Sequence, residues 1–490
     1  MYTAWVTGVE GTWLPQVHAN CSHNVLVSLL TRQLGSTPSP SETGFGELRS
    51  TFRELERLAG RYPGRRWTLS ETALSYTGAL RRRYLDAERS LLEDGPLTAR
   101  DHFLCGFLKA EKINALPKFQ KPRMIFPRTP RYNLVLASWL KPFEHWLWGN
   151  LKSVGRKGVP KSRVVAKGLN PVERANLIVR KCGHFRDPVV FEVDGKAFEA
   201  HCVRKVLSLE HRVYGAAHRF PGELASLLAK QLELCGAVGS VRFKRDGGRA
   251  SGDFNTGMGN SLIMVAVVGT VMRRIGVRFD SLVDGDNALL FVEAGDLPRV
   301  VADFARHAVD VSGQEMVLER PVEISRLGVE AVRFGQSAPV WDGSKWRMVR
   351  DFRKVLSQGT SSHDHLRDRA FAPAFLAGVA RCESSLGRGL PILGAWSHSL
   401  WTWASSFGRV ATHCYRDYQA SLALDVDRMV DPYEVEVSDD CRWSFFRAFG
   451  VTPEEQLVIE RELSSPRLGP WKPMPGMTSW NKEFHDAWSF

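Results

Sequence analysis

The segment LVDGDNALLF, residues 282–291, constrains the fold of this chain more than any other stretch. Its Asp-Gly pair favours a tight turn because glycine adopts positive φ freely, and apolar runs flank the turn on both sides. The pattern therefore predicts two short antiparallel strands joined by a hairpin turn. An ordinary turn explains the segment by itself, whereas a functional interpretation makes Asp286 a metal-binding carboxylate at the hairpin tip. The choice depends on partners elsewhere in the chain.

Composition narrows the possible partners. The chain has 490 residues, 43% of them hydrophobic, and a formal net charge of +13. A chain this basic favours a polyanionic partner, either nucleic acid or an acidic membrane surface. The eight cysteines form no C-x-x-C pair, which argues against a structural zinc site and fits a reducing compartment. The longest apolar run, 262–272, is too short to span a bilayer, so we expect no transmembrane segment.

A second acid follows a compact apolar strand. The segment PVVFEVD, residues 188–194, reads as a buried strand that ends on Asp194. Taken alone, Asp194 is an ordinary strand-end acid. Together with Asp286 it supplies the pair of carboxylates that two-metal phosphoryl transfer requires, and Mg²⁺ prefers such oxygen ligands while keeping several waters.

A glycine-rich stretch, residues 247–260, precedes an apolar helix predicted over 261–275. A capped helix start explains Ser251 and Gly252 but not Thr256 and Asn260. On a helix those two residues lie one turn apart on the same face, so both can point at one ligand. Hydroxyl and amide groups suit recognition of a ribose 2′-OH.

A basic segment covers residues 109–131. A solvated charged surface is one interpretation of it. However, four prolines stiffen the segment, and a stiff cationic strand suits a triphosphate entry channel because arginine binds phosphate oxygens with two parallel hydrogen bonds. Its basic residues are Lys109, Lys112, Lys118, Lys121, Arg123, Arg128 and Arg131.

Helical patterns occupy most of the remaining chain. They cover a stretch after residue 41, Ser70 to Leu92, Tyr132 to Leu151, a charged stretch from 195 to about 235, and residues 297–311. Short strands are predicted between 312 and 349, and from residue 350 onward the chain reads as mostly helical.

The order of these segments resembles the RNA-dependent RNA polymerases of plus-strand RNA viruses, with the tombusvirus-like group as the nearest match. The resemblance spans roughly residues 1–355. Its motifs are KAEK with KPRMI and Arg128 (motif F, from 109), DGKAFEAH (motif A, from 194), Ser251 to Asn260 (motif B), and GDN (motif C, 285–287).

This resemblance implies an α+β right-hand polymerase, with a small antiparallel palm sheet backed by helices. Residues 1–187 would form the fingers and N-terminal region. Residues 188–350 would form the palm, with a fingers insertion near 205–246, and 351–490 the helical thumb. The implied activity is replication of a viral RNA genome from NTPs, with Mg²⁺ or Mn²⁺ as cofactor.

The resemblance also implies residue roles. Asp194 and Asp286 would bind the metals, with Asn287 beside them in the catalytic centre. The nucleotide-binding residues would be Lys109, Lys112, Arg123, Arg128, Glu199, Ser251, Thr256 and Asn260.

Three positions depart from the family pattern. Glu199 stands where motif A usually has a second aspartate that reads the sugar together with Asn260. Asn287 replaces the second aspartate of motif C, which keeps an oxygen acceptor but removes a charge. Val317 occupies the position of a lysine that is the family's candidate general acid, so that role stays unassigned.

Template and product RNA and NTPs are the implied partners, with a viral or host protein that anchors the polymerase to membranes. The implied location is the host cytoplasm, at membrane-bound replication sites. Two other interpretations stay open: a catalytically impaired, polymerase-like RNA-binding protein, which the three departures suggest, and a reverse transcriptase, which Asn260 disfavours.

Overall fold

The computed structural model describes residues 1–115, 120–152, 158–411, 430–466 and 468–469. Lys118 and parts of the predicted thumb lie outside these ranges. The α-helices are α1 (Ser22–Ser28), α2 (Glu42–Ala59), α3 (Leu69–Leu74), α4 (Gly78–Glu93), α5 (Ala99–His102), α6 (Pro130–Asn150), α7 (Pro171–Cys182), α8 (Arg204–Ala217), α9 (Gly222–Ala229), α10 (Thr256–Ile275), α11 (Leu297–Ser312), α12 (Ile324–Leu327), α13 (Phe352–Gly359), α14 (Ala372–Gly387), α15 (Leu393–Ser405), α16 (Asp439–Phe449) and α17 (Pro453–Leu463). A π-helical turn covers Leu29–Gln33, and 3₁₀ turns cover Ala294–Asp296 and Val329–Ala331.

The strands form small sheets. They are β1 (Tyr2–Thr3), β2 (Leu104–Cys105), β3 (Phe107–Leu108), β4 (Met124–Ile125), β5 (Pro188–Gly195), β6 (Glu233–Val238), β7 (Val241–Asp246), β8 (Phe279–Asp284), β9 (Asn287–Glu293), β10 (Met316–Leu318), β11 (Val322–Glu323), β12 (Ser337–Trp341), β13 (Trp346–Arg350) and β14 (Ser361–Ser362). The central antiparallel sheet has the order β10-β5-β9-β8, and β11 also pairs with β5. The predicted hairpin and the predicted 188–194 strand are both confirmed.

The central sheet is covered on both faces. Along β5, Val189, Phe191 and Val193 point into one apolar cluster, while Val190 points into another. The first cluster also contains α10, and the second contains Leu177 and other apolar residues of α7. Because side chains alternate across a strand, burial on both faces requires a continuous apolar run. This explains why β5 and β9 are apolar at nearly every position.

Helix α10 is the central core helix. It begins at Thr256, earlier than the predicted 261–275, and ends where Gly276 adopts φ 74° in the left-handed region. Among the described residues, α10 is the one helix that is long and apolar enough to cross a membrane. However, 89% of its most apolar stretch is buried inside the protein. Its apolar character therefore follows from its contacts with the central sheet, α2 and α11.

Two predicted helical stretches are interrupted. The stretch Ser70 to Leu92 is divided into α3 and α4, because Gly78 adopts φ 59° at the start of α4. The stretch from 195 to 235 contains α8 and α9, separated by Arg219 and Phe220, which both have positive φ, and β6 begins at Glu233. Left-handed backbone cannot continue a right-handed helix, so each stretch breaks there.

Among the described residues, four smaller sheets lie outside the central one, and one of them is the antiparallel pair of β12 and β13. Strand β2 pairs in parallel with β6, which forms an antiparallel hairpin with β7. Strands β3 and β4 form a short antiparallel pair, which we call the basic hairpin because residues 107–125 carry much of the basic segment.

The N-terminal residues pack with the C-terminal helices. Strand β1 pairs with β14, and the Trp5 ring stacks on Trp396 with ring centroids 6.5 Å apart. Ala4 and Val9 lie in the same apolar cluster as α14, α15 and α16. The first nine residues thus share a core with the C-terminal helices rather than with the rest of residues 1–187.

A buried ion pair attaches α7 to the central sheet. The Lys181 ammonium contacts Asp280 on β8 at 2.8 Å, and both side chains are fully buried. Lys181 also donates to Ser162 at 2.8 Å, and His184 lies 3.0 Å from the other carboxylate oxygen of Asp280. Removing one partner of such a pair leaves an uncompensated buried charge.

We therefore predict that Lys181→Met lowers the free energy of unfolding by about 3–5 kcal/mol, measured by urea denaturation. Lys161→Met is the matched control, because Lys161 is exposed, and it should leave the unfolding curve nearly unchanged. Equal curves for the two variants would contradict a structural role for the buried pair.

Candidate active site

The central sheet brings the two predicted carboxylates together. Antiparallel pairing places Asp194 on β5 directly opposite Asn287 on β9. Asp286 immediately precedes Asn287 in the chain. Together with Gly285, which adopts φ 68°, Asp286 forms the two-residue turn of the hairpin. Two acids distant in sequence are therefore neighbours at one end of the sheet.

The neighbouring acid of the hairpin has a different environment. Asp284 forms ion pairs with Arg174 at 2.7 Å and Lys167 at 3.2 Å. Attraction to these two cations holds the pKa of Asp284 below its usual value even though burial opposes the shift. Asp284 thus anchors the hairpin, and Asp286 remains as the carboxylate that faces Asp194.

Negative charge accumulates around this pair. Burial, followed by the Glu199 carboxylate and then Asp194, raises the pKa of Asp286 to about 6. Partial burial and the Glu319 carboxylate raise the pKa of Asp194. Such shifts mean that the ionised carboxylates lack sufficient counter-charge, and an added cation would favour their ionised form.

Asn287 contributes an unused acceptor. Its side-chain oxygen is buried and has no hydrogen-bond partner among the described residues. A buried carbonyl oxygen without a partner is uncommon, and one beside two carboxylates suits a metal ion or a metal-bound water. Within the described ranges no three His, Cys, Asp or Glu side chains converge as a metal cage. The donor set is two carboxylates and an amide oxygen, which fits Mg²⁺ because this ion retains several waters.

Two predicted cations lie together on the basic hairpin, and Arg123 acts on the carboxylate cluster. Glu111 lies 3.2 Å from the Lys109 ammonium and 3.5 Å from the Arg123 guanidinium. The Lys109 amide also donates to the Arg123 carbonyl at 2.9 Å. Arg123 is close enough to lower the pKa values of both Asp194 and Asp286.

Lys112 contacts a different part of the protein from Lys109 and Arg123. Its ammonium donates to the Gln358 carbonyl at 2.7 Å, and the Gln358 side chain donates back to the Lys112 carbonyl at 3.2 Å. Burial lowers the pKa of Lys112 to about 8. This residue attaches the basic segment to α13 beside a cavity of about 600 Å³, so its predicted contact with nucleotide is replaced by a contact within the protein.

Arg128 also differs from the prediction. Its side chain is almost fully buried, pairs with Asp253 at 2.9 Å and donates to the His102 carbonyl at 2.8 Å. The guanidinium lies over the Tyr132 ring, 5.0 Å from its centroid. A guanidinium enclosed in this way cannot reach a triphosphate, so we correct its role to that of holding the glycine-rich loop, which contains Asp253.

The glycine-rich loop is closed by its own hydroxyl groups. Thr256 donates to the Ala250 or Asp253 carbonyl, each at 2.9 Å, and Ser251 donates to the Met124 carbonyl of the basic hairpin at 3.3 Å. A side chain at Gly252 would approach Pro127 to 2.5 Å. Ser251 and Thr256 therefore shape the loop rather than present free hydroxyl groups.

A buried ion pair lies beneath the same loop. The Arg249 guanidinium pairs with Glu210 of α8 and donates to the Asn260 side-chain oxygen at 3.0 Å. A side chain at Gly259 would collide with both Arg249 and Glu210. Asn260 is thus held by its oxygen, while its amide nitrogen makes no hydrogen bond to the described residues and stays available as a donor.

Sequence reasoning did not identify Glu210, Arg249 or Asp253. Arg249 and Asp253 lie inside the recognised loop, where their charge was a usable signal. Glu210 lies within a charged helix, and nothing in its sequence neighbourhood separates it from solvated acids.

Comparison with known proteins agrees with this geometry. A family model described as viral RNA dependent RNA polymerase matches residues 3–469. The chain is 32% identical to the RNA-directed RNA polymerase of turnip crinkle virus, with 96% of this chain and 60% of that protein aligned. It is 31% identical to the RNA-directed RNA polymerase of carnation mottle virus, with 94% of this chain and 59% of that protein aligned. It is also 31% identical to that of tomato bushy stunt virus, strain Cherry, with 91% of this chain and 54% of that protein aligned.

The chain therefore spans little more than half the length of these curated relatives. The match of the family model nevertheless covers almost the whole chain, and the relatives carry the same description. The resemblance to tombusvirus-like polymerases is confirmed, and the chain belongs to the viral RNA-dependent RNA polymerase family.

Proposed function

We propose that this chain is the catalytic part of an RNA-dependent RNA polymerase that replicates a viral RNA genome from NTPs. The observation that carries the proposal is the pairing of Asp194 with Asn287, which brings Asp194 beside Asp286. In the reaction, the 3′-hydroxyl of the growing RNA attacks the α-phosphate of an NTP, and pyrophosphate leaves.

Asp194 and Asp286 would hold two divalent cations, Mg²⁺ or Mn²⁺, with the Asn287 oxygen as a neutral ligand. Such cations supply the positive charge that stabilises the attacking and leaving oxygens. The orphaned Asn287 oxygen and the raised pKa values of both acids support this assignment.

The chain's own cations would orient the substrate. Lys109 and Arg123 would bind the triphosphate, and Glu199 and Asn260 would read the ribose. The unused amide donor of Asn260 supports its role, and the electrostatic contact of Glu199 with Asp286 supports a place beside the sugar.

The proposed layout is a right hand. Residues 188–350 would form the palm around the central sheet, and residues 1–187 with the 205–246 insertion would form the fingers. The C-terminal helices from 351, joined by the first nine residues, would form the thumb. Template and product RNA would lie against cationic surfaces and bind mainly through phosphates.

We further propose that the polymerase acts at membrane-bound replication sites in the host cytoplasm, recruited by a viral or host anchoring protein. The match to the viral RNA-dependent RNA polymerase family supports this proposal.

The first prediction on activity concerns the metal carboxylates. Asp194→Ala and Asp286→Ala should each lower the rate of primer extension about a thousandfold or more, because several kcal/mol of charge stabilisation are lost at about 1.4 kcal/mol per tenfold. Template RNA binding should persist in both variants. Asp303→Ala, which removes a surface acid of α11, should extend normally. Near-normal extension by either active-site variant would contradict the assignment.

The second concerns Asn287. A neutral ligand weakens binding of Mg²⁺, which depends on charge and octahedral geometry, more than binding of Mn²⁺. The wild-type protein should therefore show a large gain in extension rate with Mn²⁺ over Mg²⁺, and Asn287→Asp should shrink that gain. Asn287→Ala should lower the rate with both metals.

The readout is the Mn²⁺/Mg²⁺ rate ratio of the three proteins. An unchanged ratio in Asn287→Asp would place the side chain outside the metal shell. Absence of NTP incorporation by the wild type on several templates would favour the impaired RNA-binding protein, and preference for dNTPs would favour a reverse transcriptase.

The third prediction contrasts the roles of two arginines of the basic segment. Arg123→Ala should raise the KM for NTPs about tenfold, because charge-assisted hydrogen bonds to phosphate are lost, and should leave the free energy of unfolding unchanged. Arg128→Ala should lower the free energy of unfolding by about 3–5 kcal/mol, because Asp253 loses its buried ion pair. Steady-state kinetics and urea denaturation of both variants test this contrast. The opposite pattern would reverse the two roles.

A further inference from the structure

Arg32 occupies an unusual backbone position near the carboxylate cluster. It lies in the π-helical turn Leu29–Gln33, and such turns are rare and frequent at functional sites. The next residue is firmly held: the Gln33 side chain donates to the Arg249 carbonyl at 3.1 Å, and the Gln33 carbonyl accepts from the Arg245 guanidinium. The turn is thereby attached to the base of the glycine-rich loop.

The other side of the turn contacts the basic hairpin. Leu29 is buried in one apolar cluster with Met124 and Phe126. The π-helical turn therefore lies between the two elements that carry most of the predicted nucleotide-binding residues, and contacts with both of them fix its position.

The Arg32 guanidinium itself has no close partner. Its side chain is partly buried, yet among the described residues it makes no hydrogen bond and no ion pair within 4 Å. Burial and the Arg123 guanidinium lower its pKa, whereas the carboxylates of Glu199, Glu111 and Asp286 raise it. The charges that act on Arg32 belong to the same cluster as Arg123, and the turn that carries Arg32 lies between the basic hairpin and the glycine-rich loop.

An arginine of similar burial that has a structural role makes several hydrogen bonds. Arg245, half-buried nearby, donates to the Gln33 carbonyl, to the Ala200 carbonyl at 2.9 Å and to the Thr37 hydroxyl at 3.3 Å. Buried cations are normally paired in this way, because loss of hydration must be offset. A partly buried guanidinium that faces the active site without a partner is consistent with an anionic ligand that is bound only during the reaction.

We propose that Arg32 binds the triphosphate of the incoming NTP together with Arg123, and that before the nucleotide arrives its charge weakens divalent-metal binding at Asp194 and Asp286. This inference rests on the proposed polymerase function. The positive charge of Arg32 attracts a triphosphate and repels a metal ion. The site therefore binds metal ions together with the nucleotide more favourably than it binds metal ions alone.

The local charge balance supports this role. On the hairpin side of the cluster, Glu111 contacts both Lys109 and Arg123, and its charge also acts on Arg32. These four side chains together carry two net positive charges, which favour binding of the strongly anionic triphosphate. Without Arg32, Glu111 would neutralise half of the charge of the other two.

Arg32→Gln tests the proposal, with Arg61→Gln as the matched control, because Arg61 is exposed. Mn²⁺ binding to the nucleotide-free protein is titrated by electron paramagnetic resonance. Binding of a non-hydrolysable NTP analogue is titrated at saturating Mn²⁺. Arg32→Gln should bind Mn²⁺ about threefold or more tightly because a nearby like charge is gone, and the NTP analogue about tenfold or more weakly because phosphate hydrogen bonds are lost. Arg61→Gln should match the wild type in both.

The opposite signs of the two effects exclude a purely structural role, which would weaken both ligands. Arg32→Lys should retain wild-type Mn²⁺ affinity, because the charge persists, and recover only part of the nucleotide affinity, because the planar fork is lost. Unchanged nucleotide affinity in Arg32→Gln, or weaker binding of both ligands, would overturn the proposal. The metal titration needs no catalysis, so failure of the wild type to incorporate NTPs would contradict the polymerase function separately.

Discussion

The antiparallel pairing of β5 with β9 is the interaction on which the candidate site depends. Side chains alternate along a strand, so a shift of one residue would exchange the two apolar clusters and turn Asp194 to the opposite face. Burial of both faces of the sheet opposes such a shift, because every residue moved would leave a fitted apolar environment. The position of the carboxylate pair is thus determined by hydrophobic packing around residues that take no part in the chemistry.

Buried ion pairs provide a second level of control. The pair of Arg249 with Glu210 links the glycine-rich loop to α8, and the pair of Arg128 with Asp253 links it to the basic segment. Buried pairs contribute little net stability compared with apolar packing, but each resists any movement that would leave one charge alone. Their effect is to hold the loop, and with it Asn260, in one conformation.

The electrostatics of the site follow from this rigidity. Asp194, Asp286, Glu199 and Glu319 are held close enough that their charges raise pKa values. In this setting the neutral side chain of Asn287 reduces repulsion in the metal-free protein, whereas a further carboxylate would increase it. If Asp194 and Asp286 hold metals as proposed, the neutral Asn287 would exchange metal affinity for lower electrostatic repulsion, and Arg123 on the basic hairpin would add positive charge.

The sequence by itself determined the hairpin, the β5 strand, the core helix and the identity of Asp194 and Asp286, because these depend on local patterns: turn chemistry, apolar runs and motif spacing. It also predicted Arg123 as a nucleotide-binding residue, and in the structure the charge of Arg123 acts on both carboxylates. Only the tertiary structure decided which charged residues are free to meet a substrate. Arg128 and Arg123 lie in one basic segment, yet one is enclosed by Asp253 and Tyr132 while the other faces the site. Arg32 carried no local signal at all. The physical reason is that the role of a charge depends on its burial and its partners, and these come from segments distant in the chain.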